Sequence, residues 1–281
     1  MKIVDLHVHS TFSDGTLTPT ELVSLAKKQD LSAFALTDHD TVKGIPQVLK
    51  AAKEMNIEVI PGIEISTHYL DKEIHIVGLC VDHTSEHFNK EIQKEIQRRT
   101  DRNKEIIHRI NDMGIKITLD ELQAMHPDSA IARPHFANLL VRNHIAKDIP
   151  DAFERFLSAG RPLYVPRKRN TPKEAISLIR NAGGVPILAH PLLYHLSFGE
   201  LRSLCMEFKE YGLAGIETLY SANKGFDELT VRKLANEFDL LESGGSDFHG
   251  QNKPHIQLGT GRGNLMVNYS YLEKIKEYAS K

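Results

Sequence analysis

Imidazole and carboxylate side chains recur along this chain of 281 residues, directly after short apolar runs. Nitrogen and oxygen donors of this kind bind divalent cations such as Zn²⁺, Fe²⁺ and Mn²⁺. Nine of them form the candidate ligand set: His7, His9, Asp14, His39, Glu64, His75, His190, Asp247 and His249. Because the carboxyl ends of neighbouring parallel strands lie at one edge of a sheet, we expect these side chains to cluster there. The sequence therefore predicts one polynuclear metal site.

The size of the candidate set indicates more than one cation. A tetrahedral zinc site takes four ligands, so nine ligands require two or three divalent metals. Glu64 follows the Pro61-Gly62 turn and is the candidate bridging carboxylate, which would hold cations about 3.5–4 Å apart. Imidazole and carboxylate donors without thiolate suit Mn²⁺, Fe²⁺ or Zn²⁺ better than Mg²⁺. We expect the bound metal to be manganese, with iron or zinc as the alternatives.

The spacing within two motifs suits a shared cation. His7 and His9 are two positions apart at the end of an apolar run, and Asp247 and His249 repeat that spacing. Side chains at i and i+2 of a strand point to the same face, so both can reach one metal. Three further carboxylates adjoin candidate ligands and are expected to fix a histidine tautomer: Asp5, Asp38 and Asp40. For Asp38 and Asp40, the alternative is a turn or cap role.

A polynuclear centre of this kind predicts hydrolysis of a phosphate ester. Paired or triple cations lower the pKa of a bridging water, so that hydroxide exists near neutral pH, and they neutralise the oxygens of an in-line transition state. Asp14, His190 and His249 are the candidate catalytic members of the set. No protein nucleophile is then required, and the sequence contains neither a GxSxG elbow nor a Walker A loop.

Composition excludes several other classes of protein. The net charge of −2 argues against a stable complex with long nucleic acid, so any phosphate recognition is local. Cys80 and Cys205 form no CxxC pair, which indicates buried thiols in a reducing compartment. The first residues carry no secretory leader, and apolar runs fall short of the ~18 residues that span a membrane. We expect a cytoplasmic protein without a membrane partner; its oligomeric state stays open.

Strand and helix patterns alternate along most of the chain, which predicts an α/β fold with a parallel sheet. Thr18 to Glu21 and Thr171 to Glu174 each read as a capping box that opens a helix. The predicted strands are 2–6, 33–36, 57–60, 74–79, 185–189, 213–218 and 239–242.

The alternation is interrupted between residues 85 and 160. Residues 86–112 predict one long charged helix, a further capping box at Thr118 opens another, and 134–145 and 150–158 are also helical in pattern. Residues 86–160 contain 12 Lys and Arg against 12 Asp and Glu, so this segment is not a basic arm. We therefore predict a barrel domain of residues 1–84 and 161–281 and a helical insertion of residues 85–160 over the strand ends.

Six motifs resemble, in order, those of the PHP (polymerase and histidinol phosphatase) superfamily. They are Asp5-Leu6-His7-Val8-His9-Ser10 with Ser13-Asp14-Gly15, Thr37-Asp38-His39-Asp40, Pro61-Gly62-Ile63-Glu64-Ile65-Ser66, Ile74-His75, Ala189-His190-Pro191 and Gly245-Ser246-Asp247-Phe248-His249. The resemblance implies a distorted (β/α)7 barrel with a trinuclear metal centre at the carboxyl ends of the strands.

One position narrows the resemblance to a branch of the superfamily. Many members carry histidine where this chain has Asp14, and aspartate there resembles the RNase AM/TrpH-like 3′,5′-nucleoside bisphosphate phosphatases. Segments 98–103 and 132–135 resemble that branch's helical insertion, which caps the metal site and holds the nucleotide. The implied substrate contacts are Arg99, Arg102, Asn103, Arg133 and His135. For the charged helix, the alternative is a solvated face with pairs such as Glu95 with Arg99.

Two classes of function follow from these features. The first is a phosphatase that removes the 3′-phosphate of 3′,5′-bisphosphonucleotides and also trims short 5′-phosphorylated oligonucleotides. Within this class, the alternative is a histidinol-phosphate phosphatase, which performs the same hydrolysis on a different substrate. The second is a non-catalytic, metal-stabilised module like the PHP domains of polymerases. Such modules tend to have lost ligands, whereas this chain has a suitable side chain at all nine positions, which favours the enzyme.

Overall fold

A computed structural model describes residues 2–125, 131, 133–166 and 170–281. The strands in this part of the chain are β1 Ile3–Val8, β2 Ala33–Leu36, β3 Glu58–Tyr69, β4 Lys72–Leu79, β5 Val185–Leu188, β6 Gly215–Tyr220, β7 Leu241–Gly245 and β8 Val267–Asn268. They form one sheet in the order β7-β6-β5-β4-β3-β2-β1-β8. Residue 132, within a predicted substrate motif, lies outside the described residues.

The helices agree with most of the predicted boundaries. They are α1 Pro19–Lys28, α2 Ile45–Met55, α3 Glu86–Asp112, α4 Leu119–Met125, α5 Arg133–Arg142, α6 Ile149–Ala152, α7 Pro172–Asn181, α8 Phe198–Tyr211, α9 Asp227–Glu237 and α10 Tyr269–Ala279. A π-helical turn, Phe153–Leu157, continues α6. Both halves of the predicted capping boxes form at Thr18 and Thr171. The box predicted at Thr118 also forms, and a fourth, at Ser197, opens α8.

The alternation of elements predicted a parallel sheet, but the sheet is mixed. β4 runs antiparallel to both of its neighbours, β3 and β5. The two residues Leu70 and Asp71 join β3 directly to β4, and Leu70 has a φ of 52° that closes the turn. This turn lacks the glycine that usually marks a tight hairpin, so the sequence did not reveal it. Pairing with β4 also extends β3 to Tyr69, well beyond its predicted end at residue 60.

The sheet curls into a nearly closed barrel because the end of β1 meets the residues after β7. The backbone N–H of Asp247 donates to the carbonyl of His7 at 2.9 Å, and that of His9 donates to Phe248 at 3.0 Å. A Cβ at Gly245 would lie 2.4 Å from the Cβ of His7, so this approach requires glycine. The predicted barrel has seven strands; the eighth, β8, pairs with β1 over only two residues.

The described chain divides into two compact units. One comprises Met1–Ile92 and Arg169–Lys281, and the other comprises Gln93–Lys168. The second unit has its own buried core, which includes Ile106, Leu122, Phe136, Leu140 and Leu157. Its predicted role as a cap over the metal site stays a prediction. Among the described residues, no helix has the length and apolarity needed to cross a membrane.

Candidate metal centre

The nine candidate ligands converge within the first unit. Seven of them follow β1, β2, β5 and β7 or lie at the end of β1: His7, His9, Asp14, His39, His190, Asp247 and His249. Glu64 lies inside β3, not after the strand predicted at 57–60, and His75 lies inside β4, as in the strand predicted at 74–79. The antiparallel hairpin explains the position of Glu64. Because β3 continues past the end of β2 to pair with β4, the middle of β3 lies level with the carboxyl ends of the parallel strands.

Glu64 lies at the centre of the cluster. Its side chain is 1% exposed, and its two oxygens contact the rings of five histidines. Oε2 lies 3.1–3.2 Å from His7 Nε2, His9 Nε2 and His39 Nδ1. Oε1 lies 2.8 Å from His75 Nδ1 and 2.9 Å from His190 Nε2. A carboxylate surrounded in this way suits the bridging role predicted for it.

The other two carboxylates of the set lie on either side of His9. Asp247 Oδ1 is 3.3 Å from His9 Nε2 and 3.3 Å from His249 Nδ1. Asp14 Oδ1 is 3.6 Å from His9 Nδ1 and 3.2 Å from His249 Nε2. The side chain of Asp14 is 44% exposed, while that of Asp247 is 6% exposed. Asp14 is therefore on the solvent-accessible side of the cluster.

The donor atoms form three groups in which every atom lies within 4.8 Å of the others. The groups are His9, Asp14, His39 and His249; His7, His9 and Glu64; and His39, Glu64 and His75. The first and second groups share His9, the first and third share His39, and the second and third share Glu64. Shared ligands are the feature expected of two or three adjacent cations and not of separate mononuclear sites.

Buried nitrogens without hydrogen-bond partners test whether the cluster suits metal. Among the described residues, Nε2 of His7, Nε2 of His9 and Nδ1 of His39 are buried and make no hydrogen bond. All three face the same oxygen of Glu64. A neutral imidazole lone pair repels a carboxylate oxygen at this distance unless a proton or a cation lies between them. The arrangement fits divalent metals.

The charges in the cluster also favour cations. Burial by itself would raise the pKa of Asp14, Glu64 and Asp247, but the surrounding histidines hold the pKa of each well below its ordinary value. Burial would lower the pKa of His9 and His75, yet these three carboxylates raise the pKa of His9 to about 9, and Glu64 together with Glu73 raises that of His75 to about 10. The anionic oxygens thus attract positive charge at the centre.

The pKa of His39 is shifted in the opposite direction to those of His9 and His75, because burial dominates. Burial lowers the pKa of this histidine to about 4, even though Glu64 and Asp14 act to raise it. His39 is therefore neutral near pH 7 and has a lone pair available for a metal.

Two of the histidines have a fixed tautomer. His7 Nδ1 lies 2.8 Å from Glu217 Oε1, and His249 Nδ1 lies 2.8 Å from the carbonyl oxygen of Asp247. Both oxygens accept, so each Nδ1 donates its hydrogen and Nε2 is left to face the cluster. The remaining oxygen of Glu217 accepts the backbone N–H of His190 at 2.6 Å.

The three adjoining aspartates hold backbone and hydroxyl groups. Asp5 accepts from Ser246 and Gly259, and Asp38 accepts from the hydroxyls of Ser10 and Ser13. Asp40 accepts the backbone N–H of Ser66 at 3.0 Å. These bonds join segments that are 25 to 254 residues apart in the chain, so they fix the segments that carry the candidate ligands and are not local turn or cap contacts.

The side chains that contact the cluster and that sequence reasoning missed include Glu217, Tyr220 and Lys253. Tyr220 OH donates to Asp247 Oδ2 at 2.7 Å, and Lys253 Nζ lies 2.6 Å from the same oxygen. Glu217 could have been found, because it is a lone carboxylate inside an apolar predicted strand. No local pattern marks Tyr220 or Lys253, whose contacts form only when the chain folds.

The five predicted substrate contacts lie in the second unit. α3 carries Arg99, Arg102 and Asn103, and α5 carries Arg133 and His135. Asn103 is 4% exposed, and its amide donates to the carbonyl of Ile131 at 2.9 Å, beside the start of α5. The other four side chains are partly exposed. Along α3, Glu95 pairs with Arg98 and Gln97 donates to Asp101, so part of the charged face is self-paired. The substrate role of all five stays a prediction.

Comparison with known proteins identifies the family. Residues 5–159 match the model of the PHP domain. The chain belongs to the PHP family. A 5′-3′ exoribonuclease of Haemophilus influenzae is similar to this PHP protein, at 39% identity over 88% of this chain and 90% of its own length. A 3′,5′-nucleoside bisphosphate phosphatase of Chromobacterium violaceum is 32% identical over 89% of this chain and 88% of its own length.

A solved structure confirms the PHP barrel fold. A protein of Bifidobacterium adolescentis, classed as a metal-dependent phosphoesterase, superposes with a TM-score of 0.78 at 30% identity. The match covers 98% of this chain and 95% of that one. The predicted resemblance to the PHP superfamily is confirmed, and this PHP protein is an enzyme, a metal-dependent phosphoesterase.

Proposed function

We propose that this PHP enzyme removes the 3′-phosphate of 3′,5′-bisphosphonucleotides and also shortens 5′-phosphorylated oligoribonucleotides from the 5′ end. The observation that carries the chemistry is Glu64, whose two oxygens contact five imidazoles within three overlapping ligand groups. The substrate class is supported by the relatives, one a bisphosphate phosphatase and one an exoribonuclease.

The nine clustered side chains would hold two or three divalent cations, and we propose manganese. When bound, such cations make hydroxide available near neutral pH and neutralise phosphate oxygens. Glu64 would serve as the carboxylate shared between the cations, and the Nε2 atoms of His7 and His249 point into the site because each Nδ1 is occupied. Asp14 is exposed on the solvent side. We propose Asp14, His190 and His249 as the catalytic members of this ligand set.

Substrate recognition is assigned to the second unit. Arg99, Arg102 and Arg133 can each form bidentate bonds to a phosphate, while Asn103 and His135 supply neutral donors. The bond from Asn103 to the Ile131 carbonyl keeps α3 beside the start of α5, so these side chains come from one part of the unit.

Two other functions are weaker. A histidinol-phosphate phosphatase would use the same metal chemistry, but the names of the two relatives refer to RNA and to nucleoside bisphosphates, not to histidinol phosphate. A non-catalytic module would not need a complete set of ligands, whereas all nine side chains meet in this fold.

A phosphate-release screen tests the proposal. The purified enzyme with Mn²⁺ is compared on adenosine 3′,5′-bisphosphate, AMP, histidinol phosphate and a short 5′-phosphorylated RNA. We expect the highest kcat/KM with the bisphosphate, measurable release of mononucleotides from the RNA and little activity with AMP. A preference for histidinol phosphate would contradict the proposed substrate class. Inactivity on all four compounds would contradict the proposed phosphatase and exoribonuclease activities.

A further inference from the structure

Glu217, on β6, connects two candidate ligands that belong to different strands. Its Oε1 lies 2.8 Å from Nδ1 of His7, at the end of β1, and its Oε2 accepts the backbone N–H of His190, after β5, at 2.6 Å. The carboxylate is 1% exposed. Both of its oxygens are thus engaged with N–H groups.

The bond to His7 decides which ring nitrogen reaches the cluster. An ionised carboxylate only accepts, so Nδ1 of His7 carries the hydrogen. Nε2 is then turned toward Glu64 and Asp247, at 3.1 Å and 3.8 Å, where it is buried and makes no hydrogen bond within the described chain. Without Glu217, the ring of His7 could carry its hydrogen on either nitrogen and could turn about its side-chain bonds.

The bond to His190 holds an unusual backbone. His190 has a φ of 26° and a ψ of 58°, a positive φ that is uncommon for a residue with a side chain. Such conformations persist where surrounding contacts fix them. The 2.6 Å bond from its N–H to a carboxylate is charge-assisted and supplies such a contact. It directs His190 so that Nε2 lies 2.9 Å from Glu64.

We propose that Glu217 is a positioning residue of the metal centre, which fixes the tautomer of His7 and the backbone of His190 so that both imidazoles face one set of cations. This role rests on the proposed metal-dependent function. Glu217 would act on the bound metals indirectly, through its contacts with His7 and His190. Carboxylates that accept a hydrogen bond from a metal-binding histidine contribute strongly to metal affinity.

The variant Glu217→Gln separates the two bonds. The amide oxygen of glutamine can accept from one N–H, but its NH₂ group then faces the other N–H, donor against donor. We expect about 10–100-fold weaker Mn²⁺ binding, measured by calorimetry on the metal-free protein. Glu217→Asp keeps two acceptors on a shorter side chain and should lose less. The matched control is Glu242→Gln on the adjacent β7, whose carboxylate contacts Thr218 and Arg232, outside the cluster; it should bind Mn²⁺ as the wild type does. Equal affinity of wild type and Glu217→Gln would overturn the proposal.

A second measurement needs no variant. Nitrogen NMR of histidine-labelled wild-type protein loaded with Zn²⁺ should show His7 with hydrogen on Nδ1. Hydrogen on Nε2 would overturn the role of Glu217, even if Glu217→Gln failed to fold. Failure of the wild type to bind Mn²⁺ or Zn²⁺ would instead overturn the proposed function, so the two failures are distinguishable.

Discussion

Lys253 Nζ lies 2.6 Å from Oδ2 of Asp247, while Oδ1 of the same carboxylate faces His9 and His249. Tyr220 OH donates to the same Oδ2. One oxygen of Asp247 is thus held by protein donors and the other is directed toward the metal cluster. Because its two partners fix the carboxylate plane, the direction of Oδ1 depends on Lys253.

We expect Lys253→Met to reduce kcat/KM by about 10–100-fold, because partners that orient a metal ligand contribute on that scale. Steady-state phosphate release with saturating Mn²⁺ measures the effect. Lys274→Met removes an exposed lysine from α10 and serves as the control. Unchanged activity in Lys253→Met would show that Asp247 keeps its orientation without the ammonium group.

Replacement of a proposed catalytic ligand should abolish activity. Asp14→Asn and His249→Ala are each expected to lower Mn²⁺-dependent phosphate release by more than about 100-fold, since a direct ligand contributes more than the group behind it. Because the side chain of Asp14 is 44% exposed, Asp14→Asn is expected to keep the fold, which circular dichroism checks. Asp30→Asn is the control, because Asp30 is exposed and has a φ of 56° that asparagine tolerates. Near-normal turnover in either ligand variant would contradict the metal mechanism.

The raised pKa values of His9 and His75 predict a proton-linked metal affinity. Both rings are protonated near pH 7 without metal, at pKa values of about 9 and about 10, and must lose a proton to bind it. Raising the pH removes the competing protons, so Mn²⁺ affinity should rise between pH 6 and pH 9, and activity should fall below pH ~6. Calorimetry in buffers of different ionisation enthalpy should detect protons released on binding. An affinity independent of pH would contradict this linkage.

Arg133→Ala tests the proposed recognition of nucleotide by the second unit. Loss of one bidentate contact to phosphate should raise KM for the bisphosphonucleotide about tenfold or more while leaving the metal content unchanged. Arg142→Ala, in the last turn of the same helix, is the matched control. Metal loss in Arg133→Ala, measured by elemental analysis, would show that Arg133 supports the metal centre.

Asn103 should affect stability more than the arginines do. Its side-chain amide is buried and donates to the carbonyl of Ile131 at 2.9 Å. Asn103→Ala leaves that carbonyl without this donor and should reduce the free energy of unfolding by about 1–3 kcal/mol. Denaturant unfolding measures the change, with Arg133→Ala as the comparison. Unchanged stability would show that the bond from Asn103 to the Ile131 carbonyl is not needed for folding.

The sequence by itself predicted a site for divalent metals, the approximate helix boundaries and the family. Capping boxes at Thr18 and Thr171 are local, since a threonine and a glutamate three residues later bond within one turn. The ligand types are equally local information, because imidazoles and carboxylates after apolar runs are visible without knowledge of the fold. The motifs that contain His7, Glu64 and Asp247 were enough to predict the PHP barrel, which is confirmed.

The tertiary structure decided how these residues meet. The hairpin of β3 and β4 brings Glu64 and His75 from mid-strand into the cluster, and its turn at Leu70 lacks a glycine signal. The partners Glu217 and Lys253 are 210 and 6 residues from the ligands they hold, and no spacing rule predicts such contacts. Side-chain type fixes which atoms can bind a cation, whereas strand direction and register fix which atoms can reach the same one.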